Sequence, residues 1–246
     1  MKVEKRADII KDWISTYCSK MLPDPKALVV GISGGIDSSV VSTLCALTSR
    51  KTIVVSMPIK QIKSQHDLSI SHGEWLKSKF SNVIFKIIDI DEVFNSFKTT
   101  LSDFDNEHGL ANSRARLRMT TLYQIAAAES GIVVGTGNKV EDFGVGFYTK
   151  YGDGGVDISP IGDCNKSTVW SLGRYLGILK EIIEAPPTDG LWSDGRNDED
   201  QLGMSYSQLE KAMEDKNDPN FKKYIKIRKK NLHKMNPIPV CKFENE

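Results

Sequence analysis

Leu28-Val29-Val30-Gly31-Ile32-Ser33-Gly34-Gly35-Ile36-Asp37-Ser38-Ser39-Val40-Val41 decides how the chain folds. The apolar, β-branched start reads as a buried strand. The run breaks at Ser33-Gly34-Gly35 and resumes as an apolar pattern suited to a helix. A strand, a glycine turn and a helix start follow one another. Glycine permits positive φ and close backbone approach. The helix start offers unpaired N–H groups and the positive end of a dipole. Together they form an anion site, most often for phosphate. Asp37 beside it is useful only if a cation accompanies the anion. The stretch is neither Walker A, since no Lys follows the second glycine, nor G-x-G-x-x-G. Hydroxyls of Ser33, Ser38 and Ser39 stand where the lysine would be. A plain strand-to-helix turn with a serine cap is the bland alternative. The full Ser-Gly-Gly-x-Asp-Ser-Ser string after a buried strand argues against it.

Working outward, the pattern repeats. Ile9, Ile10, Trp13, Ile14 and Tyr17 mark an amphipathic helix over about the first 20 residues, ended by Pro23 and Pro25. Strands are expected at 27–32, 53–57, 83–88 and 132–134. Helices are expected from 38 to 47, around Leu68–Phe80, after an Asp89 cap, and from 112 to 130 with Ala115, Met119, Leu122, Tyr123 and Ala126 inward. Alternation of this kind implies an α/β fold: a doubly wound parallel sheet with helices on both faces. Ligands then bind beyond the carboxyl ends of the strands at a switch point. A second glycine turn, Gly135-Thr136-Gly137-Asn138, closes the last of those strands, so the two loops are expected to share a pocket.

Farther on, the polar, glycine-rich stretch 148–157 reads as a functional loop. Asp163 or Asn165 is expected to cap a helix. Residues 188–200 are expected to form a mobile loop. Two more helices carry Tyr206, Leu209 and Met213, then Phe221, Tyr224, Ile225 and Leu232. The tail from His233, with Pro237 and Pro239, is expected to be extended.

The 246 residues fit one domain, 1–246. A net charge of +1 argues against nucleic acid or an anionic membrane as main partner. Cys18, Cys45, Cys164 and Cys241 form no C-x-x-C pair, and the histidines show no zinc spacing. Reduced thiols and a cytoplasmic location follow. No signal or membrane segment is evident.

The anion loop resembles the pyrophosphate loop of the ATP pyrophosphatase superfamily, whose fold is adenine nucleotide alpha hydrolase-like, a Rossmann-like arrangement. Four further stretches sharpen this: Asn112-Ser113-Arg114-Ala115-Arg116-Leu117-Arg118-Met119, Gly135-Thr136-Gly137-Asn138-Lys139-Val140-Glu141, Thr149-Lys150-Tyr151-Gly152-Asp153-Gly154-Gly155 and Asp198-Glu199-Asp200-Gln201-Leu202-Gly203. In this order they resemble the NAD synthetases, from about residue 5 to 240. That resemblance implies a ligase of NAD biosynthesis. It adenylates the nicotinate carboxylate of deamido-NAD with ATP, releases pyrophosphate, and amidates the adenylate with ammonia.

By the same resemblance, Gly31, Ile32, Ser33, Gly34, Gly35, Ile36, Asp37 and Ser38 bind ATP, with Thr136, Lys166 and Thr188. Asp37 and Glu141 are the magnesium ligands. Arg116, Lys150, Asp157, His233 and Lys234 contact deamido-NAD. Asp153 lies near the ammonia site, and Lys166 brings charge to phosphate. Bland readings stand beside these. Asp153 could tie its own turn, Lys166 could be an exposed first-turn lysine, and at least Arg114 among Arg114, Arg116 and Arg118 serves elsewhere, because i+2 lies nearly opposite on a helix. The chain departs from the family at Met235-Asn236, where an Arg is usual, and between Glu141 and Lys150, which is about one residue longer by motif comparison.

Within these residues no Glu-Lys-Cys amidase set accompanies the motifs, so free ammonia rather than glutamine is the expected nitrogen source. Homodimerisation is expected, with the 1–20 and 112–130 helices as candidate contacts. A tRNA-modifying relative would need a basic surface and often a cysteine pair. A non-catalytic nucleotide-binding module would not need Asp37, Glu141 and Asp153 together.

Overall fold

In a computed structural model, residues 1–60, 63–188 and 197–243 are described. Among them, strands β1 (Leu28–Gly31), β2 (Thr52–Ser56), β3 (Val83–Ile87) and β4 (Ile132–Val133) form a parallel sheet of order β3-β2-β1-β4. The chain winds outward from β1 to β3, then crosses to β4 on the other side of β1. The switch point therefore falls between the carboxyl ends of β1 and β4, where both glycine loops emerge. A parallel bridge from Val134 to Ile158 extends this edge beyond the expected strands.

Side chains alternate along each strand, so the sheet is covered twice. Leu28, Val30, Val54, Ile132 and Val134 join the core beneath α1 (Val3–Lys20), α2 (Ile36–Ala46), α3 (Lys63–Lys79), α6 (Lys166–Tyr175) and α7 (Lys180–Glu184). Val29, Ile53, Val55 and Val133 face α4 (Asp91–Thr100) and α5 (Glu107–Ala128). A third cluster joins a π-helix at Lys139–Val145 to α9 (Tyr206–Glu214) and α10 (Phe221–Met235). Another short helix, α8 (Asp198–Leu202), precedes α9.

Several boundaries correct the sequence reading. Helix α2 starts at Ile36, two residues early, because its first turn is itself the anion loop. Helix α5 starts at Glu107, where Asn106 caps it through the Gly109 N–H. Asp89 lies one residue before the N-cap of α4, Ile90, yet accepts from the Asp91 N–H. Asn165 is the N-cap of α6 by position, but its side chain bonds Glu214 instead of capping. Helix α10 runs to Met235, so His233 and Lys234 are helical rather than extended. Of the stretch 188–200, residues 189–196 lie outside the described residues, and 198–202 are helical with a capping box at Asn197. No helix of the described residues is long and apolar enough to cross a membrane.

Candidate active site

Gly34 has φ +88, and a Cβ there would lie 2.5 Å from the Gln65 carbonyl oxygen, so the turn requires glycine. The loop is held by its own hydroxyls. Ser38 Oγ accepts from the Ser33 N–H and donates to the Gly35 carbonyl, and Ser33 Oγ accepts from the Gly35 N–H. No side chain caps α2, and the first helical bond there is Ser39 N–H to the Gly35 carbonyl. The N–H groups of Ile36, Asp37 and Ser38 thus point out of the helix start, as an anion cradle needs.

Asp37, on the first turn of α2, meets Lys166 and Glu141. Lys166 Nζ lies 2.6 Å from Asp37 Oδ2 and 2.8 Å from Glu141 Oε1. Its side chain is 2% exposed, which overturns the reading of an exposed first-turn lysine. Asn138 Nδ2 donates to Asp37 Oδ1 at 2.9 Å, while Asn138 Oδ1 caps the π-helix by accepting from the N–H groups of Val140 and Glu141. Tyr206 OH stands 2.5 Å from Glu141 Oε1 and 3.0 Å from Asp198 Oδ2, so one phenol proton serves two carboxylates. Lys166 Nζ also sits 4.7 Å over the Tyr206 ring.

Charge follows geometry. Burial pushes the Asp37 carboxyl up, with the Glu141 charge adding to it and Lys166 opposing. At Glu141 burial pushes the same way, but Lys166, Tyr206 and Asn138 together hold it below its usual range. Burial works against the Lys166 ammonium, yet the two carboxylates raise it well above an ordinary lysine. Tyr206 is also raised, by burial and then by Glu141 and Asp198. With one ammonium between two carboxylates, the centre keeps negative charge to spare.

That surplus fits a hard cation. Among the described residues no group of three or more His, Cys, Asp or Glu is placed to hold a metal. Magnesium, however, is commonly held by one or two carboxylates with substrate phosphates completing its shell. Asp37 and Glu141 supply that pair beside the anion loop.

The other expected residues come from several parts of the fold. Thr136 lies at the carboxyl end of β4, across the switch point from the anion loop. Arg116 Nε donates to the Lys150 carbonyl at 3.3 Å, joining two residues expected at the acceptor. Asp153 Oδ1 accepts from the Thr149 N–H at 2.9 Å, so one oxygen ties its turn while the side chain remains open to solvent. The protein crowded around it raises this carboxyl to about 6. Asp157 is already engaged: Oδ2 accepts from the Val133 N–H at 2.7 Å and Oδ1 from Tyr123 OH at 3.0 Å. Lys234 Nζ donates to the Tyr148 carbonyl, and Tyr148 OH to that of Lys234. His233 is exposed on the last turn of α10. Thr188 follows Pro187, whose carbonyl accepts from the Asp198 N–H, which leads it toward the Tyr206–Asp198 bond. Arg114 lies over the Phe94 ring, and Arg118 donates to the Met57 carbonyl.

Asn138, Asp198 and Tyr206 are the residues sequence reasoning missed. Asn138 had a signal, as an Asn after a glycine turn at a helix start. Tyr206 had none, since it reads as one more apolar position of a helix. Residues Lys139–Val145 wind as a π-helix, and such turns cluster at functional sites. Its closing bond runs from the Gly146 N–H to the Glu141 carbonyl.

A parallel sheet with an anion loop and a buried carboxylate pair at its switch point defines an adenine nucleotide alpha hydrolase-like protein. The chain belongs to the NAD synthase family, whose model matches residues 6–240. It is 34% identical to an NH3-dependent NAD+ synthetase of Archaeoglobus fulgidus, over 99% of this chain and 97% of that protein. Its structure is similar to an NMN synthetase from Francisella tularensis, with a TM-score of 0.89 and 28% identity, covering 99% of this chain and 100% of that one. It is also similar to an NH3-dependent NAD synthetase from Campylobacter jejuni, with a TM-score of 0.79 and 26% identity, covering 98% and 100%.

Proposed function

We propose that this ligase adenylates the nicotinate carboxylate of deamido-NAD with ATP and displaces AMP with free ammonia, giving NAD. The observation that carries the reading is the Asp37–Lys166–Glu141 centre set against the open N–H groups of α2. The carboxylate attacks the α-phosphorus and the bond to pyrophosphate breaks. Ile32–Ser38 hold the departing phosphates through backbone N–H and serine hydroxyls. Asp37 and Glu141 would hold magnesium, which offsets phosphate charge when bound. Lys166 then turns from the carboxylates to the phosphates, and Thr136 and Thr188 flank the nucleotide. Arg116, Lys150, Asp157, His233 and Lys234 orient the acceptor. Asp153 takes a proton from ammonium. The resulting ammonia attacks the acyl carbon, the C–O bond to AMP breaks, and the new nitrogen gives up a further proton to solvent to leave the amide.

The reading extends to a single unit over 1–246, a cytoplasmic location and a homodimer. Ile9, Trp13 and Tyr17 remain exposed along α1, on the flank of its buried Ile10 and Ile14, which supports a helix-borne contact. Sedimentation at twice the chain mass is the expected result.

A second acceptor, the corresponding nicotinate mononucleotide, is favoured by one observation: the TM-score is 0.89 with an NMN synthetase against 0.79 with the Campylobacter NAD synthetase. Incubation with ATP, magnesium, ammonium and either acceptor, read by mass, separates the two. NAD and AMP from deamido-NAD support the first reading. Turnover confined to the mononucleotide replaces it with the second. No pyrophosphate with either acceptor refutes both.

A further inference from the structure

The turn that carries Asp153 lies flat along one face of α5. Asn112, Ala115, Arg116 and Met119 follow at i, i+3, i+4 and i+7, so they share that face. A Cβ at Gly152 would lie 2.8 Å from the Ala115 Cβ, and one at Gly155 3.1 Å from Met119 Cγ. Arg116 Nε holds the Lys150 carbonyl from the same face at 3.3 Å.

Thr149 is the joint between helix and turn, and it is buried. Its N–H donates to Asp153 Oδ1 at 2.9 Å, and its carbonyl accepts from the N–H groups of Gly152 and Gly154. The turn therefore uses the Thr149 backbone, and the hydroxyl goes to α5: Oγ1 donates to Asn112 Oδ1 at 2.6 Å. The Asn112 amide is itself fixed, because Nδ2 donates to the His108 carbonyl at 3.0 Å. A carbonyl only accepts, so this bond turns Asn112 Oδ1 toward the threonine. Three hydrogen bonds in series thus run from the backbone of α5 to the Asp153 carboxylate. Within the turn Tyr151 has φ +62. A tyrosine keeps that left-handed position only where surrounding contacts over-determine it. The Thr149–Asn112 bond is one such contact.

Resting on the reading of an ammonia-using ligase, we propose that Thr149 and Asn112 are positioning residues for Asp153. Their hydrogen bond fixes the Thr149 N–H, which holds Asp153 Oδ1 and so sets where Oδ2 meets ammonium. They act through Asp153 rather than on the substrate. Helix α5 thereby registers two parts of the reaction, the acceptor through Arg116 and Lys150 and the nitrogen through Asn112 and Thr149.

The test uses the full-length enzyme with ATP, magnesium and deamido-NAD. Single-turnover pyrophosphate release without ammonium reports adenylation, and NAD formation across ammonium concentrations reports amidation. Thr149→Val keeps the side-chain shape and removes the hydroxyl; Asn112→Leu removes the acceptor. Either should lower kcat/KM for ammonium by about 10- to 100-fold, the scale of a misplacement of up to about 1 Å. Pyrophosphate release and the KM for ATP should stay within about threefold. Thr149→Ser keeps the hydroxyl and should hold ammonium use within about threefold of wild type. The double variant should lose no more than about threefold beyond the worse single one, because both side chains act through one bond. Equal losses in adenylation and amidation mean a structural role and overturn the proposal. An unchanged ammonium kcat/KM, a Thr149→Ser as impaired as Thr149→Val, or additive losses in the double variant overturn it too. Should Thr149→Val not fold, Asn112→Leu and Thr149→Ser carry the same comparison. A wild-type enzyme that releases no pyrophosphate with any acceptor points instead to failure of the underlying reading.

Discussion

Replacing Lys166 with Met keeps the length of the side chain and removes its charge. At an effective dielectric of about 20, each Lys166–carboxylate contact near 2.7 Å contributes about 6 kcal/mol of Coulomb energy before desolvation is subtracted. Loss of one partner from a buried ion pair costs about 3–5 kcal/mol net. The low end applies here, because Asp37 is already pushed upward and can take a proton once Lys166 is gone. For a chain of this size, about 3 kcal/mol lowers Tm by about 6–12 °C. The pH dependence has a definite sign. In the wild type Glu141 is depressed, so its contribution is present above its unfolded value of 4.5 and fades as pH falls through the folded value. In the variant both carboxylates are raised, so folding takes up protons and stability recovers as pH falls. The Tm gap between variant and wild type should therefore narrow between about pH 7 and 5. Magnesium added without nucleotide should raise the Tm of the variant and leave the wild type nearly unmoved, since Lys166 otherwise holds both ligands. Pyrophosphate release should fall by about 100-fold or more, the scale of one lost phosphate contact in the transition state. Thermal melts with and without magnesium, across pH, decide the matter. A gap that is constant with pH and blind to magnesium refutes the argument.

Three further outcomes are expected. Tyr206→Phe leaves Glu141 and Asp198 without their shared donor, so Tm should drop by the equivalent of about 1–3 kcal/mol with an altered magnesium requirement; unchanged values in both would remove the tyrosine from the centre. His72 is fully buried, bonded to Ser42 Oγ at 2.9 Å, and burial lowers it to about 4. Its neutral form is the one the fold accepts, so stability present above 6.5 is lost as pH falls toward 4, by about 3 kcal/mol in all; urea titrations of His72→Gln should show a flatter acid limb, and an identical limb counts against this. Asp153, at about 6, should impose an acid limb near that pH on ammonium-supported kcat/KM, and Asp153→Asn should remove it while the KM for ATP holds; equal damage to both would mean that the carboxylate only ties its turn.

The sheet was legible because its signals are local and repeated. β-Branched runs, glycine turns at their carboxyl ends and helical spacing between them specify β1 to β4 within about two residues. The anion loop was legible for the same reason. What lay hidden depends on contacts far apart in the chain. Lys166 reads as an ordinary lysine in a first turn; only the fold, 129 residues away from Asp37, buries it. Asp157 reads as a polar loop residue, yet it ties the Val134–Ile158 bridge to β4 through the Val133 N–H. Pro237 and Pro239 drew the reading of the tail back to His233, although the apolar spacing of Phe221 to Leu232 carries on through the last turn of α10.

The π-helix shows why part of the site could not be read at all. An α-helix after Gly137 would space side chains by 100° per residue and turn Glu141 and Asp142 to widely separated directions. The wider turn, begun by Asn138 and closed at Gly146, holds Glu141 on Lys166 while it brings Asp142 against Gly137. Two acidic neighbours in sequence thereby meet different partners, Lys166 and Gly137. Composition and periodicity carry no trace of this, since the pattern 139–145 suits no regular element. Deleting one residue from 142–146 should convert the turn to α-geometry, keep the Glu141–Lys166 contact and uncouple Asp142 from the Gly137 loop. Pyrophosphate release should then survive the deletion, since the Glu141–Lys166 contact is kept. Its loss would mean that the π-turn itself is needed to hold Glu141 in place.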